Sequence, residues 1–167
     1  MPTKQRRYSL KAKQAKLILN EISEKLKIDA EALFGLKANV EVVEADVGKI
    51  YLVNGKPLFF KVGEPTLPTL LFQDFVSRAP KIVVDMGAVP YVCNGADVMA
   101  PGIRRVEGEF GKGDLVLVVD EKHGKPIALG KSLYDAESAR KTTQGAVVRT
   151  LHFVSDKIWN FVKTSSE

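Results

Sequence analysis

At Val40 the hydrophobic period of this 167-residue chain changes, and that change limits what it can fold into. Upstream, Ala15, Ile18, Ile22 and Leu26 recur at three- and four-residue steps with Leu19 beside them, the buried stripe of an amphipathic helix. Ser9 is a suitable N-cap, so the spacing predicts a helix over 10–27. Lys13, Lys16, Asn20, Glu24 and Lys27 fall mostly on its other faces. A second short helix is expected at 29–36, capped by Asp29 and ended at Gly35. Downstream, 40–44, 49–53 and 57–62 read as strands, and Asn54-Gly55 between the last two is a type I′ hairpin signal. Gly63-Glu64-Pro65 closes this unit, and 66–78, with Leu67, Leu70, Leu71, Phe72, Phe75 and Val76, suits a short packed helix.

Ala79-Pro80 ends that helix, because a residue before proline prefers extended backbone. The chain therefore divides into an N-terminal α+β domain, 1–78, and a second domain, 79–167. The second domain is punctuated differently. Strands are expected at 81–85, 96–100, 115–120, 126–131, 146–153 and 157–162, with one helix at 135–141. Residues 86–94 form one or two helical turns, with Pro90 in the first turn and Asn94-Gly95 as a left-handed exit. Short strands at this spacing predict a small barrel.

With 45% hydrophobic and 27% charged residues the chain can bury a core. No apolar run approaches the roughly 20 residues needed to span a bilayer, so no membrane partner is expected. The first residues lack the apolar segment of a secretory signal. Cys93 is the only cysteine, which excludes an intramolecular disulfide and a cysteine-rich zinc site. The expectation is a soluble, cytoplasmic protein. Charge is informative in its placement: thirteen basic against nine acidic residues up to residue 80, twelve against eleven beyond it. Lys4, Arg6, Arg7, Lys11, Lys13 and Lys16 crowd the start with no acid among them. Such a cluster either holds a polyanion by phosphate neutralisation or is a solvated helix face; composition leaves both open.

The string Gly87-Ala88-Val89-Pro90-Tyr91-Val92-Cys93-Asn94-Gly95-Ala96-Asp97-Val98-Met99-Ala100-Pro101-Gly102-Ile103 resembles the signature of the PUA domain. The likeness continues through 113–118, Ala128-Leu129-Gly130 and 145–148. The phrase Val84-Asp85-Met86 before it, and the C-terminal His152-Phe153 and Ile158-Trp159, are similar to a translation-associated family. That family is typified by the malignant T-cell-amplified sequence protein and its archaeal relatives. The resemblance implies an α+β N-terminal domain followed by a mainly-β PUA pseudo-barrel that binds structured RNA, rRNA or tRNA. It also implies contacts with the small ribosomal subunit and a translation-factor partner protein, in initiation or recycling. An accessory subunit of an RNA-modification enzyme is the alternative.

Carried onto this chain, the RNA surface comprises Gly87, Ala88, Tyr91, Asn94 and Gly95. Small residues there let a phosphate or ribose approach backbone N–H groups, and Tyr91 can stack on a base or simply pack. Arg104 and Arg105 are expected in an exposed loop or strand end, suited to bidentate phosphate contact. Lys131 joins the same surface. Arg6, Arg7, Lys11, Lys13 and Lys16 form an auxiliary basic surface. No cofactor, metal or catalytic residue is expected. Gly111-Lys112-Gly113-Asp114 lacks the spacing and hydroxyl of a phosphate loop. His123 and His152 have no metal-ligand spacing; the former reads as a surface histidine, the latter as a packed one. Cys93 and Trp159 read as packing residues, Asp85 as a helix cap, and Lys125 as an ordinary turn lysine.

Overall fold

The computed structural model describes residues 5–166. Lys4, from the basic cluster, lies outside the described residues. Two compact units are present: the chain up to Phe72 together with the segment from Phe161 onwards, and Gln73–Asn160. Ala79-Pro80 does end a helix, yet the chain on both sides of it belongs to the second unit.

The first unit contains β1 (Arg6–Ser9), α1 (Ala12–Leu26), α2 (Ala30–Phe34), β2 (Val40–Ala45), β3 (Gly48–Val53), β4 (Lys56–Lys61) and β5 (Thr66–Pro68). The strands form an antiparallel sheet in sequence order, aligning Tyr8 with Val42, Val42 with Tyr51, and Tyr51 with Phe59. Asn54 and Gly55 have φ of 51° and 85°, the pair a type I′ turn requires. Asn54 also ties this turn to the exit of α2: its amide donates to Phe34 O at 3.0 Å, and its oxygen accepts from Asn39 N–H at 3.0 Å. Phe34, Phe59 and Phe72 pack ring to ring at 5.0–6.3 Å between centroids.

Two expectations fail in this unit. Residues 6–9 are a strand, and Lys11 rather than Ser9 occupies the N-cap of α1, without a side-chain cap. Tertiary pairing overrides the local cap signal: Leu10 N–H donates to Val40 O at 2.8 Å, and Tyr8 Oη donates to Glu44 at 2.8 Å. The expected helix over 66–78 splits. Thr66–Pro68 pairs with β4, Thr69 Oγ1 donates to Pro57 O at 2.9 Å, and the helix, α3 (Gln73–Arg78), starts only afterwards. A continuous apolar run cannot say where a strand stops and a helix begins.

The second unit continues with β6 (Lys81–Val84), α4 (Val89–Val92), β7 (Val98–Met99), a 3₁₀ turn (Ala100–Gly102), β8 (Ile103–Glu107), β9 (Leu115–Asp120), β10 (Pro126–Ser132), α5 (Ala136–Lys141) and β11 (Ala146–Phe153). α6 (Lys157–Ser166) follows, and the division between units falls within it. The six strands run β7-β11-β10-β9-β6-β8, with β6 parallel to β9 and every other pair antiparallel. This mainly-β sheet with its short helices is the expected fold class of the second domain. Ile82, Val84, Val92, Val116, Val118, Val147 and Val148 fill its interior. Residues 157–162 are helical, not a strand. The carboxylate of Asp156 accepts from Trp159 N–H at 2.6 Å and from Phe153 N–H at 2.8 Å, starting a helix where apolar spacing alone was ambiguous.

Candidate nucleic-acid interface

The segment from Asp85 to Gly102 builds a cavity at the end of β6. Asp85 N–H donates to Gly102 O at 2.9 Å, so the segment leaves and returns at one point. Inside this loop the Asp85 carboxylate accepts from Ala88 N–H at 2.8 Å, and Pro90 sits in the first turn of α4. Val92 is fully buried and anchors that helix to the core. The cavity encloses about 380 Å³ and is lined by Gly87, Ala88, Tyr91 and Met99, with Asp85 and Asp97 as its carboxylates. Tyr91 is 71% exposed and Met99 50%, so an aromatic face and a thioether stand open to solvent beside it. The packing reading of Tyr91 is thereby overturned.

The expected surface does not come together as one patch. Gly87, Ala88 and Tyr91 line the cavity; Asn94 and Gly95 do not. Gly95, at φ +92°, turns the chain out of α4, and a Cβ there would stand 3.3 Å from the Phe153 ring. Its role is turn geometry and close packing. The anion-binding role expected at Gly87-Ala88 meets an obstacle, because Asp85 already takes the Ala88 N–H. With Asp85 and Asp97 among its lining and no basic residue, the cavity repels phosphate and offers hydrogen-bond acceptors and a stacking face.

Arg104 and Arg105 lie inside β8, at a sheet edge, and not in a loop. Successive strand residues project to opposite faces, so the pair does not present one anion platform. Arg104 binds Glu121 at 3.0 Å and Arg105 binds Glu107 at 3.2 Å. The N-terminal cluster is likewise divided. Arg7 pairs with Glu41 at 2.7 Å, and Arg6 stacks over the Tyr8 ring at 5.1 Å, both from β1. Lys11, Lys13 and Lys16 are exposed at the start of α1. Lys131 is exposed on β10, directly opposite Arg149 of β11, a residue that sequence reasoning passed over because the register between these strands was not readable.

The remaining candidates are structural. His152 is fully buried and its Nδ1 lies 2.8 Å from the Asp156 carboxylate. Burial alone raises the Asp156 carboxyl, but the hydrogen bond and charge of His152 and the N–H groups of Trp159 and Phe153 outweigh it and hold the group below the usual carboxylate range. Burial pushes the Cys93 thiol up, away from a reactive thiolate. His123 is exposed in the turn after β9, and Trp159 is half-buried. Among the described residues no group of three His, Cys, Asp or Glu could hold a metal ion, and no helix is long and apolar enough to cross a membrane.

Residues 80–154, which contain the whole cavity, match the PUA domain, and residues 6–73 match a domain of unknown function, DUF1947. A protein of Methanocaldococcus jannaschii is 38% identical over 157 residues, covering 93% of this chain and 96% of that one. This chain belongs to the family of PUA proteins that carry an N-terminal DUF1947 domain. Translation machinery-associated protein 20 of Saccharomyces cerevisiae is 27% identical over 78% of this chain and 77% of its own length. Malignant T-cell-amplified sequence 1 of Rattus norvegicus is 29% identical over 67% and 64%. The solved PUA-domain structure from Aeropyrum pernix K1 superposes with a TM-score of 0.83 over 99% of this chain and 95% of that one, at 24% identity, a likeness of fold.

Proposed function

We propose that this PUA protein binds structured RNA, rRNA or tRNA, without itself catalysing a reaction, and works with the translation machinery. The observation that carries the reading is the open cavity beside Tyr91, inside the PUA module of a chain whose relatives include a translation machinery-associated protein. A base leaving its stack enters between Tyr91 and Met99, stacks on the ring, and offers amino or imino donors to the carboxylates of Asp85 and Asp97. The phosphate backbone stays outside, on cations of the surrounding sheet. Base contacts select the site; phosphate contacts set affinity. The partners on this reading are the small ribosomal subunit and a translation factor. The relatives named as translation-associated proteins support the non-catalytic reading.

Fluorescence anisotropy with labelled tRNA and a small-subunit rRNA hairpin tests this. The native chain should bind at least one, with affinity falling as salt rises. Tyr91→Ala should weaken binding by roughly 5- to 100-fold and Tyr91→Phe by little, since a stacked base is worth about 1–3 kcal/mol. Binding unaffected by Tyr91→Ala would remove the cavity from the interface. Association with small subunits that survives nuclease treatment would replace RNA contact by protein contact.

A further inference from the structure

All seven arginines lie among the described residues, and six of them have a partner within the chain. Arg7, Arg78, Arg104, Arg105 and Arg140 each pair with a carboxylate, and Arg6 lies over Tyr8. Arg149 is the exception: among the described residues it makes no side-chain hydrogen bond, ion pair or ring contact. Its directly opposed neighbour across the β10–β11 ladder is Lys131, which has none either. Both are exposed, while Val148 and Ser132 beside them are buried, so the two cations stand together on the outer face. Like charges placed directly opposite destabilise a sheet. Among the described residues, no carboxylate of the flanking turns forms an ion pair with either cation. Asp114 accepts from Gly111 N–H at 2.8 Å within its own turn, and Asp97 accepts from Thr150 N–H at 3.3 Å. The Lys131 stem passes 3.7 Å from where a Cβ on Gly113 would sit, so the turn before β9 leaves room for it.

The position of this pair gives it a use. β11 pairs with β7 through Val148 and Val98, and the Thr150 hydroxyl donates to Ala96 O at 2.8 Å. Ala96, Asp97, Val98 and Met99 are a wall of the cavity beside Tyr91. One strand spacing of about 4.8 Å separates that wall from the strand carrying Arg149, and a second separates Arg149 from Lys131. We propose that Lys131 and Arg149 form the phosphate seat of the RNA interface, gripping the backbone of the nucleotides next to the one whose base enters the cavity. This rests on the RNA-binding reading and goes beyond it by assigning the seat to the β10–β11 face, away from Arg104 and Arg105. Arg149 supplies a planar fork for two phosphate oxygens and Lys131 a point charge. An uncompensated pair of cations beside an acid-lined cavity fits a strand with anionic backbone and neutral bases. A wholly anionic partner such as an acidic peptide would bring carboxylates to Asp85 and Asp97.

The test compares the native chain with Lys131→Gln/Arg149→Gln and with Arg104→Gln/Arg105→Gln, which removes the same charge. Each is titrated against a labelled hairpin RNA with a single-stranded tail at several salt concentrations. The seat variant should bind about 10-fold or more weakly at low salt, and its log–log salt slope should shrink by roughly 1.4–1.8, two phosphates' worth. The β8 variant should change by less than about 2-fold, with its slope intact. The charge-conserving exchange Lys131→Arg/Arg149→Lys should keep the native slope. Relief of repulsion should leave the seat variant's Tm unchanged or raise it by about 1–4 °C. Equal losses in the two glutamine variants, or a native slope in the seat variant, would overturn the assignment while leaving RNA binding intact. A lower Tm in the seat variant, with binding lost in the charge-conserving exchange as well, would make the pair structural. A native chain that binds no RNA would overturn the functional reading itself, and displacement of RNA equally well by polyglutamate at matched charge would replace the nucleic acid by an acidic protein.

Discussion

Single residues settle where burial and charge meet, and Asp156 is the clearest case. Its carboxylate organises the start of α6, accepting from Trp159 and Phe153 N–H groups and facing the buried His152. Because its folded pKa lies below the ordinary carboxylate value, near 3.9 in an unfolded chain, its contribution to stability is complete above that value. It is lost as pH falls through the lower folded value. Asp120, Asp135 and Glu41 are shifted in the same direction, so acid unfolding of the native chain sums all four. Asp156→Asn isolates one of them. Urea midpoints should fall at pH 7 by the equivalent of about 1–3 kcal/mol, and the gap to the native chain should narrow below pH 4. A gap independent of pH would mean that the carboxylate's charge is irrelevant. At this scale the sequence was legible where a residue acts on its immediate neighbours: Asp29 accepts from Ala32 N–H at 3.1 Å, as its cap position implied. Arg149 was not legible, since its meaning comes from a lysine eighteen positions away that only strand register places opposite it.

Among the elements, β10 and β11 show how closely a backbone can be specified. Their register shifts between Leu129 and Gly130, and a Cβ on Gly130 would stand 2.2 Å from Val148 Cγ1 and 3.0 Å from Arg149 O. Gly130 thus allows the strand carrying Lys131 to meet the strand carrying Arg149. Gly130→Ala should destabilise the protein by about 1–3 kcal/mol through overpacking, read as a lower urea midpoint, and should disturb RNA affinity through the shifted register. An unchanged midpoint would show that the bulge has slack. Gly124→Ala, where φ is +64° but no atom lies within 4 Å, tests backbone strain alone and should lower stability without touching that register. Strand and hairpin positions came through from alternation and turn chemistry. Two failures fall where an apolar segment could serve two elements, at 66–78 and 157–162; the arginine-bearing edge strands β1 and β8 were missed as strands.

For the whole molecule, the decisive feature is that the C-terminal end of α6 returns to the first unit. Val162 in that segment is fully buried. Val162→Ala should cost about 1–3 kcal/mol by large-to-small truncation, and thermal unfolding followed by hydrogen exchange should show the loss in the first unit's sheet. Protection lost only within 73–160 would contradict that assignment. The sequence by itself determined the α+β character of the first unit, the PUA module and most of its strands, and the small-residue segment that forms the cavity. The PUA module was read from the resemblance of the 87–103 segment; the others follow from periodicity, capping and turn geometry, which act between residues a few positions apart. Tertiary structure alone decided that Arg104 and Arg105 face apart, that Arg6 and Arg7 join a sheet, and that Lys131 meets Arg149. Charge is counted along a chain, but anions are bound by charges that share a face, and only strand order and register determine which charges do.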